Sequence, residues 1–340
     1  MKTDKYRNFL IVLFLTIVSF QSCNKDDVIV TQDAATNTET DTIDNAPKEP
    51  DADADETPGN DASTEGEEGA ITQYRVDGDN LIKETDYKVT GKELEFQKDT
   101  KKHQEIWELT KKIIPPNYRS KMSEFIIFAG EKDGTAGYVY STNQELSKWA
   151  MGIAIDFAYL GGFNADGELA YTIVHEFGHI LTLNDTQIDH AITENSCKNY
   201  FPGEGCSKKE SYINKLFSRY WSDIAKEHSD LSEDQDEQEK FYQKYQDRFV
   251  TGYASTNPGE DIAEVFATFV TRNGGPNGSS IAEQKIQLMY DHPEVIELRN
   301  YIRGNTARAK SRSFLPAAGA WKKAETFGNP KKINCTKHGK

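Results

Sequence analysis

Two histidines and a glutamate in the run His175-Glu176-Phe177-Gly178-His179 are the residues of this 340-residue chain best placed to do chemistry. Histidines four apart on a helix share one face, one turn apart, so both imidazoles can reach one metal ion. Neutral imidazole suits Zn²⁺, and two nitrogens with one carboxylate leave a fourth position for water. Glu176, one residue past the first histidine, is rotated about 100° around the helix axis. That offset takes it off the metal and lets it serve as general base to a bound water. The chemistry implied is metal-assisted hydrolysis.

Such chemistry needs a rigid helix to carry it. Leu169, Ile173, Val174, Phe177, Ile180 and Leu181 give the segment from Glu168 to Asn184 an apolar surface at helical spacing, with no proline to interrupt it. Gly178 inside a helix costs about 1 kcal/mol relative to Ala. Close approach of another backbone is a physical reason to keep it. A buried helix with two hydrogen-bonded histidines is the bland alternative, and the strongly helical setting favours the metal site.

The pair needs a third ligand, and two positions offer a carboxylate. Asp185 stands where metzincin-like enzymes (H-E-x-x-H-x-x-G-x-x-H) carry theirs, but Thr182 fits poorly where such a helix must end and turn back, a task usually given to glycine. The other position is Glu260. Asn257 resembles an N-cap and Pro258 a first helical residue, so a helix starts there. Ile262, Val265, Phe266, Phe269 and Val270 form its buried stripe. Glu260 and Glu264 lie one turn apart on another face beside the small Ala263 and Ala267. That arrangement suits one metal ligand and one hydrogen-bond partner for a histidine N–H, which favours Glu260 over Asp185. Taken singly, Glu260 reads as a first-turn glutamate favoured by the helix dipole, and Glu264 as a solvated charge.

At these residues the chain resembles the gluzincin metallopeptidases, in particular the catalytic domain of anthrax lethal factor and related toxin-like proteases. There an H-E-F-G-H helix is followed by a helix of the form E-x-x-A-E-x-F, with a tyrosine seven residues before its first glutamate. His175-Glu176-Phe177-Gly178-His179 matches the first part, Glu260-Asp-Ile-Ala-Glu264-Val-Phe266 the second, and Tyr253 stands seven before Glu260. The resemblance implies that His175, His179 and Glu260 bind one zinc ion, that Glu176 is the base, that Tyr253 stabilises the oxyanion and that Glu264 orients a ligand. The chain is also similar to a group of zinc-peptidase lipoproteins of Gram-negative bacteria. The match covers two short segments, and the long stretch between them departs from the toxin pattern.

The two ends of the chain read differently from its middle. Lys2, Lys5 and Arg7 precede an apolar run from Phe9 to Phe20, too short to span a bilayer. The run ends at Ser22-Cys23, so residues 1–22 read as a lipoprotein signal peptide and Cys23 as the lipid-bearing first residue of the mature chain. Phe20 and Gln21 fit the lipobox loosely, which leaves ordinary cleavage and a soluble secreted form as the alternative. Residues 24–72 hold fifteen carboxylates against Lys25 and Lys48. Such a segment cannot bury enough apolar surface to offset chain entropy and reads as a disordered tether. It accounts for most of the net charge of −15, so no acidic face is implied for the folded part. Lys25-Asp26-Asp27 resembles the surface-export signal of some outer-membrane lipoproteins, and reads equally well as the start of an acidic linker. In an oxidising compartment Cys197 and Cys206, bracketing a turn-rich stretch, can close a disulfide, with Cys335 left over.

The expected fold is α+β and zincin-like: a small mixed sheet packed on the active helix, then a mainly helical C-terminal part. One domain from 73 to 340 carries it, with an irregular basic tail from about 304. Strands are expected at 124–129, 137–140 and 149–159, the last as the sheet edge that pairs with an extended substrate. Helices are expected at 98–113, 208–227, 235–249, from 258 and near 280–303. No module for nucleic acid accompanies the basic tail. The function implied is a zinc-dependent endopeptidase, monomeric and cell-surface exposed on a lipid anchor in the outer membrane, acting on peptide or protein substrates. The alternative is a surface binding lipoprotein with an inactive fold of the same kind, accessory to nutrient capture. Retention of Glu176 argues against it.

Overall fold

A computed structural model of the protein describes residues 69–306, apart from 133, 164, 166, 233 and 234. The signal peptide, Cys23, nearly all of the tether, Cys335 and the chain beyond 306 lie outside the described residues. The described chain begins with a hairpin. Strand β1 (Ala70–Asp77) pairs antiparallel with β2 (Asn80–Asp86), Asp77 opposite Asn80. Gly78, at φ 62°, occupies the first of the two turn positions, a left-handed conformation that favours glycine. β1 corrects the boundary of the tether: Ala70, Ile71 and Thr72 are buried in it, because Ile71 faces the core.

Helices α1 (Gly91–Lys98) and α2 (Thr100–Ile113) follow, the first unanticipated and with no buried residue. The Asp99 side chain caps α2, accepting from the Lys102 amide at 3.3 Å. A one-turn helix α3 (Pro116–Arg119) leads to β3 (Met122–Phe128), β4 (Gly137–Ser141) and β5 (Trp149–Ala154). The five strands form one mixed sheet in the order β2-β1-β3-β5-β4, with β3 and β5 parallel and every other pair antiparallel. Alternation along β3 divides the two faces. Phe125 and Ile127 join the main core with Trp107, Met151 and Ile153, while Ile126 meets Ala70 and Ala150 on the other face beneath Tyr87, Tyr138 and Tyr140.

β5 is an inner strand, not the edge that was expected at 149–159. Its six residues are all buried, as a continuous apolar run with neighbours on both sides must be. The edge on that side is β4, whose Gly-Tyr-Val-Tyr-Ser pattern suits a half-buried strand, and β2 is the other. The chain also leaves the sheet early, at Ala154, for a one-turn helix α4 (Ile155–Ala158). The Asp156 carboxylate fixes this turn by accepting the Gly130 and Glu131 amides at 3.0 and 2.8 Å.

Helix α5 (Glu168–Leu183) is buried at nearly every position. After it come two short paired strands, β6 (Ile188–Asp189) and β7 (Cys206–Ser207), and the Cys197–Cys206 disulfide that closes the loop between them. Helices α6 (Tyr212–Tyr220), α7 (Ala225–Ser229) and α8 (Gln235–Lys244) precede α9 (Pro258–Thr271), which packs along α5. Two more, α10 (Ile281–Tyr290) and α11 (Pro293–Thr306), complete the described chain. α11 runs past residue 304, where the tail was expected to begin, because Ile302 and Thr306 are buried on its last turns. The architecture is mixed α+β: a small mixed sheet followed by a helical half. No helix among the described residues is long and apolar enough to cross a membrane.

Candidate metal centre

α5 and α9 bring the ligands together because their sequences let two backbones approach. A Cβ built on Gly178 would lie 3.1 Å from Ala263 Cα and 3.3 Å from the Phe266 ring, so the bare glycine and the small alanine form the crossing. The stripes on either side interlock, with Phe177 edge-on to Phe266 at 5.8 Å between ring centres. Asn257 then fixes where α9 starts. Its side chain accepts the Gly259 and Glu260 amides at 2.8 and 3.0 Å, and Pro258 occupies the first turn, as the sequence indicated.

This start places Glu260 against both histidines. His175 Nε2 lies 3.1 Å from His179 Nε2 and 3.1 Å from Glu260 Oε2, and His179 Nε2 lies 3.4 Å from the same oxygen. Tetrahedral ligands about 2.0–2.1 Å from a zinc ion stand about 3.3–3.4 Å from one another. The triangle therefore has nearly the dimensions that such an ion requires. All three residues are buried, and they form the one His/Cys/Asp/Glu cluster among the described residues whose ligand atoms converge on a common point. Burial alone raises the Glu260 carboxyl, but the His179 and His175 imidazoles outweigh it and hold the group well below the usual carboxylate range.

The tautomer of His175 is fixed from behind. Its Nδ1 donates to Glu264 Oε1 at 2.7 Å, which leaves the Nε2 lone pair for the triangle. The other Glu264 oxygen accepts two hydroxyls, Thr251 Oγ1 at 2.7 Å and Tyr171 OH at 3.1 Å. Glu264 is thus fully engaged, with both oxygens in hydrogen bonds and one of them on His175.

Glu176, on the same helix, is buried with one oxygen unpaired. Its Oε2 has no hydrogen-bond partner among the described residues, nor has His179 Nδ1. Burial pushes the Glu176 carboxyl up to about 7, against the pull of the His175 and His179 imidazoles. Gly137, the first residue of β4, makes room for it: a Cβ there would meet Glu176 Cγ at 3.2 Å and Oε1 at 3.3 Å. Tyr253 lies in a 3-10 turn (Tyr253–Ser255), half-buried, its ring centre 5.8 Å from that of His175.

No family model, curated protein or solved structure matches this chain. The centre is therefore read from its own geometry, which supports a buried site able to bind a metal ion.

Asp185 lies outside the triangle. Its carboxylate accepts from Lys121 Nζ at 2.5 Å, and its backbone oxygen from Lys208 Nζ at 2.7 Å. Thr182 does not end the helix. Its hydroxyl donates to Gly178 O at 2.9 Å, and Asn184 closes α5 by donating to Ile180 O at 2.7 Å. Three further residues escaped the sequence reading. Tyr171 stands one turn before His175, so helical spacing alone could have found it. Thr251 and Gly137 reach the site from separate segments and carry no local signal. A second polar cluster adjoins the centre: Asp261 Oδ2 accepts from Lys285 Nζ at 2.5 Å and from Trp221 Nε1 at 2.6 Å, with Lys285 and Asp261 both fully buried.

Proposed function

We propose that the protein is a zinc-dependent endopeptidase of the gluzincin kind with a zincin-like fold, held outside the cytoplasm by a lipid on Cys23. The observation that carries the reading is the buried triangle of His175, His179 and Glu260 with a carboxylate, Glu176, that keeps one oxygen unpaired on the same helix as the two histidines. His175, His179 and Glu260 hold the ion; zinc, when bound, supplies Lewis acidity and makes water a nucleophile near neutral pH. Glu176 takes the proton of the attacking water and delivers it to the leaving amine. Tyr253 donates its hydroxyl to the developing oxyanion. Glu264 keeps His175 oriented throughout.

The substrate strand adds to β4 rather than to β5. β4 is the sheet edge beside Glu176, where a Cβ on its Gly137 would meet that side chain, so a peptide paired along it is carried past the base. The disulfide at Cys197–Cys206 agrees with an oxidising compartment. A proteome-derived peptide library incubated with zinc-loaded protein tests the function beside Glu176→Gln. Cleavage at a consistent sequence by the wild type alone supports it. Equal products from both, or none from either, sink it.

A further inference from the structure

We propose that Thr251 is a positioning residue that ties the Tyr253 turn to His175 through Glu264. The proposal rests on the metal reading of the triangle but adds a link which that reading does not contain. Three hydrogen bonds build it. His175 Nδ1 donates to Glu264 Oε1 at 2.7 Å, Thr251 Oγ1 donates to Glu264 Oε2 at 2.7 Å, and the Ala254 amide donates to Thr251 Oγ1 at 3.1 Å. A backbone amide only donates, so the threonine hydroxyl accepts from Ala254 and gives its own proton to the carboxylate. Thr251, Ala254 and Glu264 are all buried, so water does not compete for these bonds.

The chain of bonds has a mechanical meaning. Ala254 follows Tyr253 directly, and its amide sits in the 3-10 turn that presents the tyrosine beside His175. Fixing the imidazole fixes Glu264, and with it the hydroxyl that closes the turn. By linkage, whatever steadies the turn also favours the ligating position of His175. Tyr171 provides the contrast. It donates to the same Glu264 oxygen but comes from α5 itself, so it orients the carboxylate from the helix that carries His175.

The test compares wild type, Thr251→Val and Thr251→Ser. Valine keeps the shape and removes the hydroxyl; serine restores it. Competition with a chromogenic chelator should show zinc bound about 10–100-fold more weakly by Thr251→Val, with recovery in Thr251→Ser. Hydrogen exchange at the Ala254 amide supplies a readout that a merely structural threonine would not move. Added zinc should slow it in the wild type and the serine variant, and leave it unchanged in the valine variant. Should the valine variant fail to fold, Glu264→Gln reads the link from its other end and should also lose the zinc effect on Ala254. Wild-type zinc affinity in Thr251→Val, or a zinc effect on Ala254 that survives there, overturns the proposal. A wild type that takes up no zinc overturns the metal reading instead. Ala254 exchange in metal-free protein then still decides the link: faster in Thr251→Val sustains it, and equal rates refute it.

Discussion

Glu176 is 2 % exposed, and one of its oxygens finds no hydrogen-bond partner among the described residues. A carboxylate left so is costly in a protein interior, at least 1–3 kcal/mol on the order-of-magnitude scale for unsatisfied groups. Stability alone does not explain why it is kept. Glu176→Gln should therefore cost nothing in folding and leave zinc uptake intact, while peptide hydrolysis falls about 10²–10⁴-fold. Turnover equal to wild type would remove Glu176 from the chemistry. The choice of third ligand is decided by metal content: Glu260→Ala should lose zinc and Asp185→Ala should keep it, because Asp185 is engaged with Lys121. Tyr253→Phe separates the hydroxyl from the ring. Melting temperature and zinc content should hold near wild type while kcat drops about 10²–10³-fold. A phenylalanine variant as active as the parent assigns the tyrosine to packing.

At the scale of elements, the crossing of α5 and α9 sets the geometry. Gly178→Val puts its first carbon 3.1 Å from Ala263 Cα, a few tenths of an ångström too close. Overpacking of this kind costs about 1–3 kcal/mol, and because the partner is a helix rather than a flexible side chain, α9 itself must shift. Denaturant titration should show the loss, and zinc affinity should fall with it. A stable variant with full affinity would mean the crossing has slack. Lys285→Met leaves Asp261 as a buried charge without its cation, a change worth about 3–5 kcal/mol, and pairing it with Asp261→Leu should recover most of that. Unequal legibility follows from the same elements. The helix of His175, the start of α9 at Asn257 and the reason for Gly178 could all be read from spacing and capping, which are local. The order of the sheet could not. An apolar run such as Trp149–Ala154 says only that a strand is buried, and whether it lies inside or at the edge depends on β4, several residues away. Thr251 was invisible for a like reason, since its partner Glu264 is 13 residues further on and in another element.

At the scale of the molecule, an ion held by the triangle binds the folded chain and not the unfolded one. Free zinc at a hundred times its dissociation constant should then add about 2.7 kcal/mol to stability. Thermal unfolding with zinc and with a chelator measures this directly. The shift should vanish in Glu260→Ala, and a melting temperature indifferent to zinc in the wild type would deny the site its ion.

His175 and Glu260 meet across 85 residues of sequence, and His175 and Glu264 across 89. The half-site on α5 is thus made long before its other half. A chain that has reached residue 250 already carries both histidines and Glu176, yet lacks the third ligand, the partner that sets the His175 tautomer, and Tyr253. The stretch between them, with its disulfide and three helices, must be in place for α9 to dock at the right height. Both halves of the triangle are therefore present only in a chain that extends through the start of α9. An ion held by His175, His179 and Glu260 would report that α5 and α9 have docked, because neither helix alone carries the full set.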